Sequence, residues 1–325
     1  MSTSGIYTYS RTLNQIATES LQLIEAVGDG ETLSGDHIER ARDSLNSLLK
    51  QSQTQGMHLW TQTEGTLFLK VGQASYDFRD SGTHASNSYN TTTSTAATTA
   101  GALTIPVTSI SGISDGDIIG VVQNDNDIFW TTVNGTPAGL DVIVDDAITL
   151  ATLSGASVRS YTPSASTVPA LIPISRISPG YGSVRRKEGD DYEIPINNES
   201  RKDYFNLPNK AQNGTPIQAY YSRQDIAGEV GGIMYLWNAP DSAVPVINFT
   251  YERKIQIVST ANDTVDYPDY AHEYIIYNLA RRLILKFGCS VERAQIIMTE
   301  ADRTKGEMLA YGASMYPISV KMRRS

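Results

Sequence analysis

Pro268-Asp269-Tyr270-Ala271-His272-Glu273-Tyr274-Ile275-Ile276-Tyr277-Asn278-Leu279-Ala280-Arg281-Arg282-Leu283-Ile284-Leu285-Lys286-Phe287-Gly288, then Cys289 and a second run from Ser290 to Gly312, reads as two helices. Pro268 suits a first helical turn, and Asp269 and Glu273 place acids at the positive end of the helix dipole. Ile275, Leu279, Leu283 and Phe287 recur at helical spacing. Lys286 falls in the last turn, and Gly288 can take a left-handed closing position. Ser290 is a cap for the second helix, with Glu292 in its first turn. Ala294, Ile297, Met298, Ala301 and Met308 mark one face of that helix. So short a connector predicts a helical hairpin. Its first helix is apolar on more than one side and needs more than one packing partner.

The other end of the chain offers that partner. Leu13, Ile16, Ala17, Leu21, Ile24 and Val27 fit one helical face, and Ile38, Ala41, Leu45, Leu48 and Leu49 fit a second. Gly28-Asp29-Gly30 separates them, and Asp36 with Glu39 resembles a capping box. Two terminal hairpins and a β-rich middle predict an α+β protein. The hairpins (residues 1–57 and 268–312) form a helical bundle, and a large antiparallel β region (58–101 and 162–267) lies between them.

Composition sets limits on function. Of 325 residues, 40% are hydrophobic, enough for a core, and only 19% are charged. Polar Ser, Thr, Asn and Gly fill the difference, which favours β structure. A net charge of −9 argues against general duplex binding, which needs clustered cations to neutralise phosphates. The single cysteine permits no intrachain disulfide. The polar start lacks the apolar segment of a signal peptide, and no apolar run is long enough to span a bilayer. The expectation is a soluble protein made in a reducing compartment, with no membrane contact.

Between the helices the period becomes two. Thr66–Val71 and Ala74–Phe78 read as strands around the turn Gly72-Gln73. Residues 81–101, almost all Ser, Thr, Ala, Asn and Gly, read as a low-complexity loop. Residues 102–161 read as a small inserted β-barrel or sandwich of five or six short strands, running from Leu103–Val107 to Ser157–Tyr161. After a linker, further strands are expected at Asp191–Ile196, Pro216–Tyr221, Gly232–Trp237, Val246–Tyr251 and Lys254–Val258. With no long helix to make crossovers, these should pair antiparallel.

No stretch has the pattern of a catalytic, cofactor or metal site. His37, His58, His84 and His272 fall on separate elements without ligand spacing or a cysteine cluster. Asn124-Asp125-Asn126-Asp127 lacks the Gly and distal Glu of an EF-hand, so a hairpin turn is the simpler reading. Cys289 follows a helix-ending glycine and reads as a small packed residue rather than a nucleophile paired with His272. Glu188, Asp190, Asp191 and Glu193 would serve a glycosidase, but they follow Arg185-Arg186-Lys187 and read as a solvated loop of mixed charge. The expectation is a protein without enzymatic activity and without cofactor.

The order of features resembles the head-to-tail adaptor proteins of short-tailed bacteriophages, the group that includes tail tubular protein A. The series begins with Gly28, Gly30-Glu31, Leu33-Ser34, Leu45 to Lys50 and Leu59-Trp60. Gly72-Gln73 before Tyr76, Gly116-Asp117-Ile118, Trp130-Thr131 and Arg201-Lys202-Asp203-Tyr204 with Leu207-Pro208 continue it. Gly214-Thr215-Pro216 before Tyr220-Tyr221, Leu236-Trp237 before Pro240, and Tyr267-Pro268 complete it. The resemblance covers nearly the whole chain, with 102–161 as an insertion that only part of the family has.

It implies a virion structural protein, made in the host bacterial cytoplasm and placed at the head–tail junction. Such proteins form a dodecameric ring of twelve copies, bind the portal protein with the helical bundle, and present the β part to the tail nozzle protein. Genomic DNA passes through the bore without specific binding during ejection. In this setting residues 313–325 read as a docking tail. Tyr316, Pro317 and Ile318 supply an apolar anchor, and Lys321, Arg323 and Arg324 supply charges for acidic groups on the portal or a neighbouring subunit. The competing function is a glycan-binding or cell-wall-degrading tail component built on the β region.

Overall fold

The computed structural model describes residues 5, 8–55, 57, 59–79, 82–164, 168–179, 181–189, 192–223 and 231–313. The fold is mixed α and β, with helices α1 (Leu13–Leu23), α2 (Gly35–Thr54), α3 (Arg201–Asn206), α4 (His272–Phe287) and α5 (Val291–Ala313). The strands begin with β1 (Gln62–Phe68), β2 (Ser75–Asp77), β3 (Ala85–Ser86), β4 (Asn90–Thr93), β5 (Thr104–Pro106) and β6 (Ile118–Val122). They continue with β7 (Ile128–Thr132), β8 (Asp141–Ile143), β9 (Ser157–Tyr161), β10 (Ile174–Ile177) and β11 (Val184–Glu188). The last are β12 (Tyr192–Pro195), β13 (Asn197–Asn198), β14 (Gln218–Arg223), β15 (Gly232–Trp237) and β16 (Val246–Arg253). The chain divides into one unit of Met1–Thr61 with Ile255–Ser325 and another of Gln62–Lys254.

In the first unit local chemistry starts each helix. Thr12 and Gln15 form a reciprocal capping box on α1, satisfying two orphan amides. The cap of α2 is Ser34, whose hydroxyl accepts from His37 N at 3.3 Å, so the expected Asp36–Glu39 box does not form. Asp36 lies in the first turn and pairs with Arg40 at 3.0 Å. A 3-10 turn over Asp269–Ala271 follows Pro268, and α4 begins only at His272. Gly288 has φ 82 and ψ 166, a positive-φ extended conformation rather than the left-handed helical close. Ser290 Oγ accepts from Arg293 N at 3.4 Å, as expected of a cap.

One buried cluster draws on α1, α2, α4 and α5. Leu13, Ile16, Leu21, Leu45, Leu49, Ile275, Leu279, Leu283, Ile297 and Met308 all belong to it. Burying each such side chain contributes roughly 2 kcal/mol. Two of the buried polar side chains are matched, while the Tyr267 hydroxyl and His272 Nδ1 have no hydrogen-bond partner among the described residues. Ser20 Oγ donates to Ile276 O at 3.2 Å, and Asn278 Nδ2 donates to Tyr274 O and Ala301 O. Met298, placed on the buried face by its spacing, is instead 41% exposed.

In the second unit, β16 is the longest strand and pairs with β1, β10 and β11. The first sheet runs β12-β11-β16-β1-β3 with β10 beside β16, and the second runs β13-β14-β15-β2. Every strand pair is antiparallel except β13 with β14. Leu67, Tyr76, Phe78, Val184, Met234, Leu236, Ile247 and Phe249, drawn from both sheets, share one core.

Several expectations are corrected here. The segments around Gly72-Gln73 do not make a hairpin. β1 pairs with β16 and β3 while β2 pairs with β15, so the turn hands the chain from one sheet to another. Residues 81–101 are not a plain loop, because β3 and β4 lie there and β4 pairs with β9. Threonines 91–93 suit a strand even though they bury little. Arg185-Arg186-Lys187 is strand β11, not a loop, and its arginines are held by acids and carbonyls. Ser200 caps a short helix, and residues 254–258 form no strand.

The region 102–161 contains β5 to β9, five short strands. Its sheets, β4-β9-β6-β7 and β5-β8, are open, so the barrel alternative is excluded among the described residues. Ile105, Val107, Ile119, Val121, Val142, Val144 and Val158 form its core. Gly120 is required there, since a Cβ would lie 2.6 Å from the Trp130 ring.

Candidate functional site

Two surfaces carry unusual chemistry. The first lies on α4 and α5. A cavity of about 330 Å³ is lined by Tyr270, Tyr274, Met308 and Tyr311, with Glu273 and Glu307 on its rim. Tyr270 and Tyr311 pack with ring centroids 5.0 Å apart. Burial pushes the Tyr274 hydroxyl up to about 12. Arg303 bonds Glu300 at 2.7 Å and Glu307 at 2.6 Å, and lies 3.8 Å from Glu273. Towards the other end of the hairpin, on the same helices, Leu285 is 91% exposed, Val291 75% and Ile296 65%. Long apolar side chains left in water on a helix hairpin mark a surface that other protein can cover. The expected docking residues Tyr316, Pro317, Ile318, Lys321, Arg323 and Arg324 lie outside the described residues.

The residues weighed for catalysis are scattered. His37 meets the Phe287 ring edge-on, His272 meets Tyr9, and His84 stacks flat on Trp130. His58, Asp190 and Asp191 lie outside the described residues. Glu188 pairs with Arg186, and Glu193 with Arg185, each as a structural ion pair. In the Asn124–Asp127 turn, the Asp127 carboxylate accepts from Val71 N and Ile128 N, and Asp125 accepts from Asp127 N. Those oxygens serve the backbone of a turn in which Asn126 has φ 63. Cys289 is half-buried at the edge of the helical core. Among the described residues no group of three or more His, Cys, Asp or Glu is close enough to hold a metal ion.

The second surface went unnoticed in the sequence. A cavity of about 200 Å³ in the β unit is lined by Tyr89, Thr91, Ser157, Arg159, Lys187 and Val246, among others. Arg159 is 6% exposed. Its Nη1 donates to Ala243 O at 2.9 Å, its Nη2 donates to Val244 O, and its guanidinium lies over the Phe68 ring. Burial pulls it down to about 10. The sequence carried little signal, because β9 reads Ser-Val-Arg-Ser-Tyr without alternation and is buried on both faces from Val158 to Tyr161. No family model matches the chain, and no curated protein matches it.

Proposed function

We propose that this chain is a structural head-to-tail adaptor of a phage virion, without enzymatic activity. Copies assemble into a ring, of twelve subunits by the family resemblance, that joins the portal protein to the tail nozzle protein. The helices of the two chain ends act as a four-helix bundle that meets the portal. The β unit, with 102–161 as an inserted module, faces the nozzle. The bore is negatively charged, so genomic DNA slides through without lasting phosphate contacts.

The observation that carries this reading is the character of α4 and α5. Their inner faces are consumed by a core shared with α1 and α2, yet Leu285, Val291, Ile296 and Tyr311 remain in water. Directly beyond stands an apolar and basic sequence, Met315-Tyr316-Pro317-Ile318 and Lys321-Met322-Arg323-Arg324. Repetition around a ring makes weak contacts of this kind strong in sum. Truncation after Gly312 tests the reading. The expected product is a folded, soluble subunit that no longer joins the portal. Portal joining undiminished by the truncation would remove the tail from the account. The cations and free hydroxyls around Arg159 favour one second reading, a glycan-binding tail component.

A further inference from the structure

We propose that the cavity between β4, β9 and β11 is a binding site for a small oxyanion, a carboxylate or phosphate group carried on a hydroxyl-bearing body such as an acidic sugar. This goes beyond the adaptor reading and does not depend on it.

The argument begins with charge. Arg159 is buried and has no carboxylate partner among the described residues; two backbone carbonyls and an aromatic face hold it. A buried guanidinium neutralised only by dipoles is costly and is improved by an anion. Lys187 lines the same cavity from β11, and its ammonium likewise has no ion pair or hydrogen bond among the described residues. Its natural cross-strand acid would be Glu193, directly opposite in register. Both Glu193 oxygens are already taken, one by Arg185 Nε at 2.8 Å and one by Asn248 Nδ2 at 2.7 Å. Glu188, the next residue, belongs to Arg186 at 2.7 Å. Two cations thus line one small cavity with the neighbouring described acids committed elsewhere.

Hydroxyls complete the site. Thr91 stands opposite Arg159 in the β4–β9 pair, and Ser157 lies two residues before Arg159, so all three share one face of the sheet. Among the described residues the hydroxyls of Thr91, Ser157 and Tyr89 make no hydrogen bond, although all three line the cavity. Such donors and acceptors suit the hydroxyls of a sugar ring, while Val246 gives an apolar wall. At about 200 Å³ the cavity is below the roughly 300 Å³ at which drug-sized sites begin, so it fits one group or one ring rather than a chain.

The test uses the full chain and thermal melts at constant ionic strength with glucuronate, inorganic phosphate or glucose up to 50 mM. A ligand of the native state raises Tm with concentration. The expected result is a saturable rise with glucuronate, phosphate or both, and none with glucose. Glucuronate alone assigns an acidic sugar, and phosphate alone assigns a phosphate group. Lys187→Gln should keep the starting Tm and weaken binding at least tenfold, while Lys187→Arg should retain it. Thr91→Val should weaken glucuronate severalfold with the charge intact. No rise with either anion, or an equal rise in the parent and Lys187→Gln, would overturn the proposal.

Discussion

His84 shows how one side chain ties local packing to a measurable property. Its ring stacks on Trp130 with centroids 4.2 Å apart, and its Nδ1 is hydrogen-bonded to the Tyr161 hydroxyl at 2.8 Å. Burial, assisted by the nearby Lys70 charge, lowers its pKa from the usual 6.5 to about 4. The unfolded chain therefore binds a proton near pH 6.5 while the folded chain does not. Stability is full above pH 6.5, falls by about 3 kcal/mol as the pH drops to 4, and levels off below. Burial also lowers His272, so the informative quantity is the difference between the parent and His84→Phe. Melts between pH 7 and 4 should show a shallower decline in the variant. Equal slopes would mean that His84 protonates freely in the folded protein. Nothing in the sequence announced this partner set, because His84, Trp130 and Tyr161 come from three separate stretches and meet only in the packed fold. The helix faces were readable because Ile275, Leu279 and Leu283 carry their period within one element.

Among elements, the same contrast holds. Caps and helical faces are local, so α1, α2, α4 and α5 could be placed within a few residues, with Ser34 rather than Asp36 as the cap of α2. Sheet partners are not local. β1 and β2 are neighbours in sequence and still pair in different sheets. Threonines 91–93 were passed over because a strand that buries little has no apolar alternation to detect. Two predictions follow from the packing. Leu45 and Leu283 are fully buried in one cluster, so Leu45→Asp or Leu283→Asp places an unpaired charge there and should cost more than 4 kcal/mol, enough to unfold the helices. Melting curves unchanged from the parent would refute the shared core. Apart from Trp60, which packs at its edge, the helical core draws on no described residue between 58 and 254. Excising 90–160 with a Gly/Ser joint should thus leave the helical circular dichroism in place. Excising 102–161 should be worse, because it removes β9 and leaves β4 unpaired. Loss of helical signal in the 90–160 excision would count against this boundary.

For the whole molecule, an acidic chain with net charge −9 places exposed apolar side chains on two of its helices. Three of its 26 Lys and Arg, Lys321, Arg323 and Arg324, fall in the last five residues. That distribution suits assembly with copies and with an acidic partner better than it suits chemistry on a small substrate. The proposed assembly rests on the order of features along the chain, since a ring is a property of surfaces and no periodicity in the sequence specifies its closure. The most direct measurement is the native mass of the full chain mixed with the portal ring of the same virion. The account predicts a discrete complex in which the portal carries twelve copies of the 35.5 kDa chain, visible by imaging as one added ring. A chain that stays monomeric beside an intact portal ring would contradict it.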